Sequence, residues 1–145
     1  MSRCQASHLV PVIYTIDADK KTIRTRCVGF VTVDDVIGHF RTLADDPQCP
    51  EELDVFLDLS EMKSLPAADK LAMVVAEMKR VQSRVRFGAC AIVAPTDAAY
   101  GMMRMYEVLA EKLFRVTHPF RTSAEAEEWL ASQQRGTEST PPRGE

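Results

Sequence analysis

Residues 54–71 read DVFLDLSEMKSLPAADKL. Asp54 to Leu59 form a short apolar run without strict alternation, and residues 88–94, GACAIVA, form another. Runs of this kind suit strands covered on both faces of a parallel sheet. Between them Leu71, Val74, Val75, Met78 and Val81 share one stripe at helical spacing. Strand, helix, strand is a parallel crossover unit, right-handed by default, and it makes the chain an α/β protein.

Upstream, PVIYTI (residues 11–16) and KTIRTRCVGFV (residues 21–31) flank the polar cluster Asp17-Ala18-Asp19-Lys20, which predicts an antiparallel hairpin. Thr32 with Asp35 three residues on is a capping box. It opens a helix whose apolar positions are Val33, Val36, Ile37, Phe40 and Leu43, and which stops before Pro47. Downstream, Pro95-Thr96-Asp97 starts a third helix, for which a wheel of about 100° per residue puts Met102, Met105, Tyr106, Leu109 and Leu113 on the core face. RVTHPF (residues 115–120) reads as an edge strand, because Pro119 has no N–H for a ladder bond. Thr122 and Glu125 cap a last helix that carries Ala126, Trp129 and Leu130. The order is ββαβαβαβα, a mixed sheet of about five strands with four helices. The expected domain is 8–132, with flexible termini at 1–7 and 133–145, since the polar tail has no apolar side chains to offset the entropy of ordering it.

At 145 residues, one core without disulfides or metal is sufficient. A net charge of -3 gives no electrostatic footprint for nucleic acid. No stretch reaches the roughly 18 apolar residues of a membrane span, and the amino-terminal residues lack a signal-peptide core, so a cytoplasmic protein is expected. Cys4, Cys27, Cys49 and Cys90 are as scattered as His8, His39 and His118, which predicts buried reduced thiols and neither a metal site nor a cofactor.

Three stretches resemble a known family: Asp58-Leu59-Ser60 at the end of the apolar strand, APTDAAYGMMRMYE at residues 94–107, and PFRTSAEAEEWL at residues 119–130. Together with the element order they resemble the STAS domain, the sulfate-transporter and anti-sigma-factor-antagonist fold, and within it the small stand-alone bacterial branch called SpoIIAA-like. The resemblance implies a non-enzymatic regulatory module that acts by protein binding, as a homodimer or with a regulatory protein partner. In phosphorylated members an Asp-Ser-Ser-Gly element begins the helix after the Asp-Leu-Ser-like strand, and its first serine takes the phosphate. Here Pro66, Ala67 and Ala68 stand at Asp-Ser-Ser and Asp69 at Gly, so the acceptor hydroxyl is missing and the switch is not carried over. Pro66 suits a first helical turn, and Ser60 or Ser64 suits local bonding to loop N–H groups.

Ligands of open α/β sheets bind outside the carboxyl ends of the strands, which here supply Asp58, Ser60, Thr96, Asp97 and Tyr100 as a candidate site for a small apolar or anionic ligand. The competing reading makes Thr96 a helix cap and Asp97 its dipole complement. On the third helix Tyr100, Met103, Arg104 and Glu107, with Phe114 beyond it, are the candidate interface, and Gly101 marks a close approach or bend. Lys79, Arg80, Arg84 and Arg86 read as a solvated helix terminus. A hydrolase built on Asp58, Asp97 or His118 has no supporting motif, and no glycine-rich phosphate loop is present.

Overall fold

The computed structural model describes residues 11–65 and 67–139. Its elements follow the expected order: β1 (Val12–Asp17), β2 (Thr22–Gly29), α1 (Val33–Ala44), β3 (Glu52–Met62), α2 (Ala68–Val81), β4 (Arg86–Val93), α3 (Asp97–Leu109), β5 (Phe114–Phe120) and α4 (Ser123–Ser139). The five strands lie in the order β1-β2-β3-β4-β5, with β1 antiparallel to β2 and every other pair parallel. Each crossover therefore steps the same way across the sheet, and crossovers of one hand place their helices on one face. The main core lies on that face, where α1, α2 and α3 cover Ile23, Leu53, Leu59, Cys90 and Ile92. On the other face α4 covers Phe56, Ala89, Ala91 and Val93 with Ala126 and Leu130.

Local chemistry explains the boundaries. Thr32 Oγ1 accepts the Asp35 N–H while Asp35 accepts the Thr32 N–H, which completes the capping box of α1. Thr96 Oγ1 caps α3 by accepting the Ala99 N–H at 3.1 Å. Thr122 Oγ1 does the same for α4 through the Glu125 N–H. Lys21, with φ of 51°, closes the hairpin turn in the left-handed region. Residues 89–94 are buried on both faces, as the unalternating run requires. β5 is an edge strand, consistent with Pro119.

One irregularity organises the sheet. Leu53 pairs with Phe87 but Val55 pairs with Cys90, so Gly88 and Ala89 together oppose Asp54 in a β-bulge. Asp54 Oδ1 accepts the Ala89 N–H at 2.8 Å, satisfying the amide that the extra residue displaces. Gly88 leaves the room for that carboxylate, since a Cβ there would collide with it. Beyond the bulge Ala89, Ala91 and Val93 face α4, while Cys90 and Ile92 face the opposite core.

The structure corrects three expectations. The core stripe of α3 is Ala99, Met103, Tyr106 and Ala110, and Met105 (42%), Val108 (67%) and Leu109 (40%) are exposed. Of the expected face, Tyr106 and Leu113 are buried and Met102 packs partly buried on the core, whereas Met105 and Leu109 are exposed. Met103 and Phe114, candidate interface residues, are core residues at 5% and 6% exposure. Finally, α4 runs past residue 132 to Ser139, and Gln134 is anchored by donating to Thr22 Oγ1 at 2.8 Å and Asp54 Oδ2 at 3.1 Å. Residues 1–10, Pro66 and 140–145 lie outside the described residues, and with them the expectations for Cys4, His8 and the proline turn.

Gly88→Ala is expected to cost about 1–3 kcal/mol, because the Asp54 carboxylate must abandon the Ala89 N–H and leave it unpaired. In an Asp54→Ala background the same change should cost much less. Urea unfolding of both single variants and the double variant measures this coupling, and additive losses would show that the carboxylate is not the obstacle.

Candidate functional site

At the carboxyl ends of the parallel strands the candidate ligand residues are held by local structure. Arg26 pairs with Asp58 but Val28 pairs with Glu61, so β3 carries an extra residue at Leu59-Ser60. Asp58 Oδ1 accepts from the Ser60 N–H at 2.9 Å and from the Ser60 hydroxyl at 2.6 Å, which closes that bulge on itself. Ser64 Oγ accepts the Val31 N–H at 3.0 Å and donates to Val31 O at 3.3 Å, tying the β3-α2 loop to the β2-α1 loop. Asp97 pairs with Arg121 at 2.8 Å, and the Arg121 guanidinium lies 4.4 Å from the centroid of the Tyr100 ring. Thr96, Asp97 and Tyr100 thus fix the start of α3 against the end of β5, away from Asp58 and Ser60 in bonding terms. Arg121, which sequence reasoning passed over, is the residue that joins them.

A partly open apolar pocket lies elsewhere, between the sheet and α1 to α3. It has a volume of about 110 Å³, with Ile23, Cys27 and Leu57 on the sheet side and Val36, Val74 and Met103 on the helix side. Among the described residues no Asp, Glu, Lys or Arg lines it, and exposed Thr32 does, so the space reaches the surface beside the amino end of α1. None of the five candidate ligand residues from the strand ends borders it.

Two residues that line the cavity each carry a buried polar atom with no hydrogen-bond partner among the described residues: Thr25 Oγ1 and His39 Nδ1. Thr25 is only 4% exposed and sits in β2 between Tyr14 and Leu57 on the neighbouring strands. The strand's alternation sends Ile23, Thr25 and Cys27 to one face, so Thr25 points inward by register. His39 is carried on α1 between the rings of Tyr14, 5.2 Å away, and Phe40, 5.1 Å away. Burial pushes its pKa down to about 4, which makes it a neutral imidazole near pH 7. Tyr106, also in the wall, donates its hydroxyl to Met78 Sδ at 3.2 Å. Nothing in the sequence marks Thr25 or His39: a lone threonine in a strand and a lone histidine in a helix are common structural residues, and only tertiary packing brings them to one cavity.

The remaining candidates have local partners. Arg80 pairs with Glu77, Arg84 with Asp45 and Arg86 with Glu52, so most of the basic cluster is neutralised in place. Burial raises the Cys27 thiol to about 12 and the Cys90 thiol further, which keeps both un-ionised and poor as nucleophiles. His118 packs on Phe120 and Trp129, with Glu107 at 3.7 Å from its Nδ1. Among the described residues no His, Cys, Asp and Glu group gathers as a metal site, and no helix is long and apolar enough to cross a membrane. No family model, curated protein or solved structure matches this chain.

His39, part-buried with its Nδ1 enclosed, makes stability depend on pH. With a folded pKa of about 4 and an unfolded one near 6.5, the unfolded chain binds the extra proton between those values. The contribution of neutral His39 is thus complete above about pH 6.5 and falls as the solution is acidified toward pH 4. Roughly 2 kcal/mol should be lost between pH 7 and pH 5. Urea unfolding at both pH values measures the loss, and His39→Leu should remove it; an unchanged slope in that variant would assign the loss to other groups.

Proposed function

We propose that this chain is a non-enzymatic STAS-like binding module that holds a small apolar molecule between its sheet and α1 to α3. The observation that carries the reading is the cavity of about 110 Å³, which no charged side chain lines among the described residues. An engineered apolar cavity of about 150 Å³ takes up benzene, so a space of this order is matched to a ring-sized ligand. An anionic ligand is disfavoured, because an ionised group entering this space finds no counter-charge. The STAS likeness of residues 58–60, 94–107 and 119–130 supports a module that works by binding, and the missing phosphoacceptor argues for a switch of another kind. Asp58 and Asp97 engaged by Ser60 and Arg121, and thiols held un-ionised, favour binding over catalysis.

Toluene is a suitable probe. Present at about ten times its Kd, a ligand of the folded state adds about 1.4 kcal/mol of stability and should raise the Tm by a few degrees. Val36→Phe, which places a ring into the cavity from partly buried α1, should abolish the shift while the protein stays folded. A Tm that does not move with toluene or benzene in the wild-type protein would refute a ligand-sized cavity.

A second reading rests on a separate observation: Met105, Val108 and Leu109 form an exposed apolar cluster at i, i+3 and i+4 on α3. This surface favours self-association or a regulatory protein partner, with Arg104 and Glu107, paired at 3.2 Å, on the same helix. Val108→Asp should then lower the weight-average mass seen by sedimentation equilibrium without changing the fold. A mass that is the same in both proteins across concentration would dismiss this face.

A further inference from the structure

Resting on the apolar-ligand reading above, the two unpartnered groups in the cavity narrow the chemistry of what it holds. The walls are hydrocarbon, aromatic and sulfur except at Thr25, His39, Tyr106 and Thr32. Tyr106 is already bonded to Met78, and Thr32 is used in the capping box of α1. Thr25 Oγ1 and His39 Nδ1 remain, both buried and both without a hydrogen-bond partner among the described residues. A buried polar atom left in this condition loses its water without replacement, and proteins rarely keep such atoms unless something bonds to them. Valine and leucine would fill the same positions at no such cost.

The two groups also differ in kind. A neutral imidazole offers one lone pair and one N–H, while a threonine hydroxyl both donates and accepts. A hydroxyl is the simplest group that serves both, donating to one and accepting from the other. A carboxylate would bring a charge that no cation among the described wall residues would balance. An ammonium ion would likewise enter a space with no carboxylate. Pure hydrocarbon would fill the volume and leave both atoms bare.

We propose that the cavity is a site for a small neutral phenol or alcohol, with an apolar body against Ile23, Val36 and Val74 and a hydroxyl bonded to His39 Nδ1 and Thr25 Oγ1. Specificity then follows from the same two atoms. A ligand that presents the hydroxyl satisfies them, and one that lacks it leaves them unpaired, which is the arrangement that discriminates most strongly between near-isosteres. His39 is carried on α1, whose amino end borders the opening at Thr32, so the bonded hydroxyl also links the ligand to the helix beside the entrance.

The test compares phenol with toluene, which have nearly the same shape, by calorimetric or thermal-shift titration of the full chain at pH 7. In a site without partners, phenol should bind at least tenfold more weakly than toluene, since its hydroxyl sheds water for nothing. With His39 and Thr25 as partners, phenol should bind at least as tightly as toluene. The double variant Thr25→Val, His39→Leu should lower phenol affinity about tenfold or more and leave toluene binding equal or stronger; either single variant serves if the double fails to fold. Toluene bound with phenol at least tenfold weaker in the wild-type protein, or phenol affinity unchanged in the variants, would overturn the hydroxyl site while keeping the apolar cavity. Failure of both probes would instead overturn the ligand reading on which it rests.

Discussion

The carboxylate of Asp54 is the constraint on which much of this fold depends. It bonds the Ala89 amide across the β3–β4 pair and receives Gln134 from α4, so one side chain closes a bulge and docks a helix. Because side chains alternate along a strand, one extra residue moves everything after it to the opposite face. Without the bulge, Ala89 and Ala91 would point toward α1 to α3, and Cys90 and Ile92 would stand beneath α4. The small alanines are what let α4 lie close to β4, and Ala89 and Ala91 are fully buried there. Neighbouring interactions hold the same helix: Arg24 is bidentate to Glu127 at 2.7 and 2.9 Å and lies 4.8 Å from the centroid of Phe56. These are half-exposed groups, and such pairs contribute little on their own. The buried register set by Asp54 and Gly88 does more to fix where α4 sits.

The opposite face is built differently. On α2, Leu71, Val74, Val75, Met78 and Val81 are all buried, whereas α1 contributes Leu43 alone at that depth and leaves Val33, Val36 and Phe40 partly covered. Glu77, itself buried, accepts from Arg41 of α1 at 3.3 Å and from Arg80 of α2 at 3.1 Å, and the two guanidinium groups hold its carboxyl below the usual range. Helix α1 is thus tied to α2 by an ion pair at its carboxyl end, while its amino half rests on partly filled apolar space. The cavity lies where that packing is thinnest. Interiors close to crystal density lose dispersion contacts at any gap, so an internal space of this size weakens the fold unless it is filled. Its position beneath one lightly held helix is consistent with a space that admits a molecule at a modest cost in packing.

The fold was legible because its signals are local. Alternation in β1 and β2, unalternating apolar runs in β3 and β4, and hydroxyl caps at Thr32, Thr96 and Thr122 each speak through a few neighbouring residues. The phase of α3 was legible only in part: Tyr106 and Leu113 of the expected face are buried, but Met103 takes the core position expected of Met105. The length of α4 was hidden for a related reason. Its last turns are polar, and the hydrogen bonds of Gln134 are made to residues 112 and 80 positions away. The cavity groups were the least legible of all, because Thr25 and His39 look ordinary until β2 and α1 are brought face to face.

The expectation that placed a ligand at the carboxyl ends of the strands rests on a general rule whose physical condition is absent here. In doubly wound sheets that end opens into a crevice where the strand order reverses, because successive helices leave for opposite faces of the sheet. In this sheet the order β1 to β5 never reverses, and the three parallel crossovers all put their helices on one side. No pair of adjacent loops is therefore drawn apart: Ser64 bonds Val31 and Arg121 bonds Asp97 from one segment to another, while Asp58 bonds Ser60 within β3. A single-faced helical layer instead concentrates its imperfections between itself and the sheet, where helices of unequal apolar content must cover a twisted surface. That is where the partly open space lined by Thr25 and His39 is found. In this sheet the unfilled space therefore lies at the layer interface, and the strand ends are taken up by turns and local hydrogen bonds.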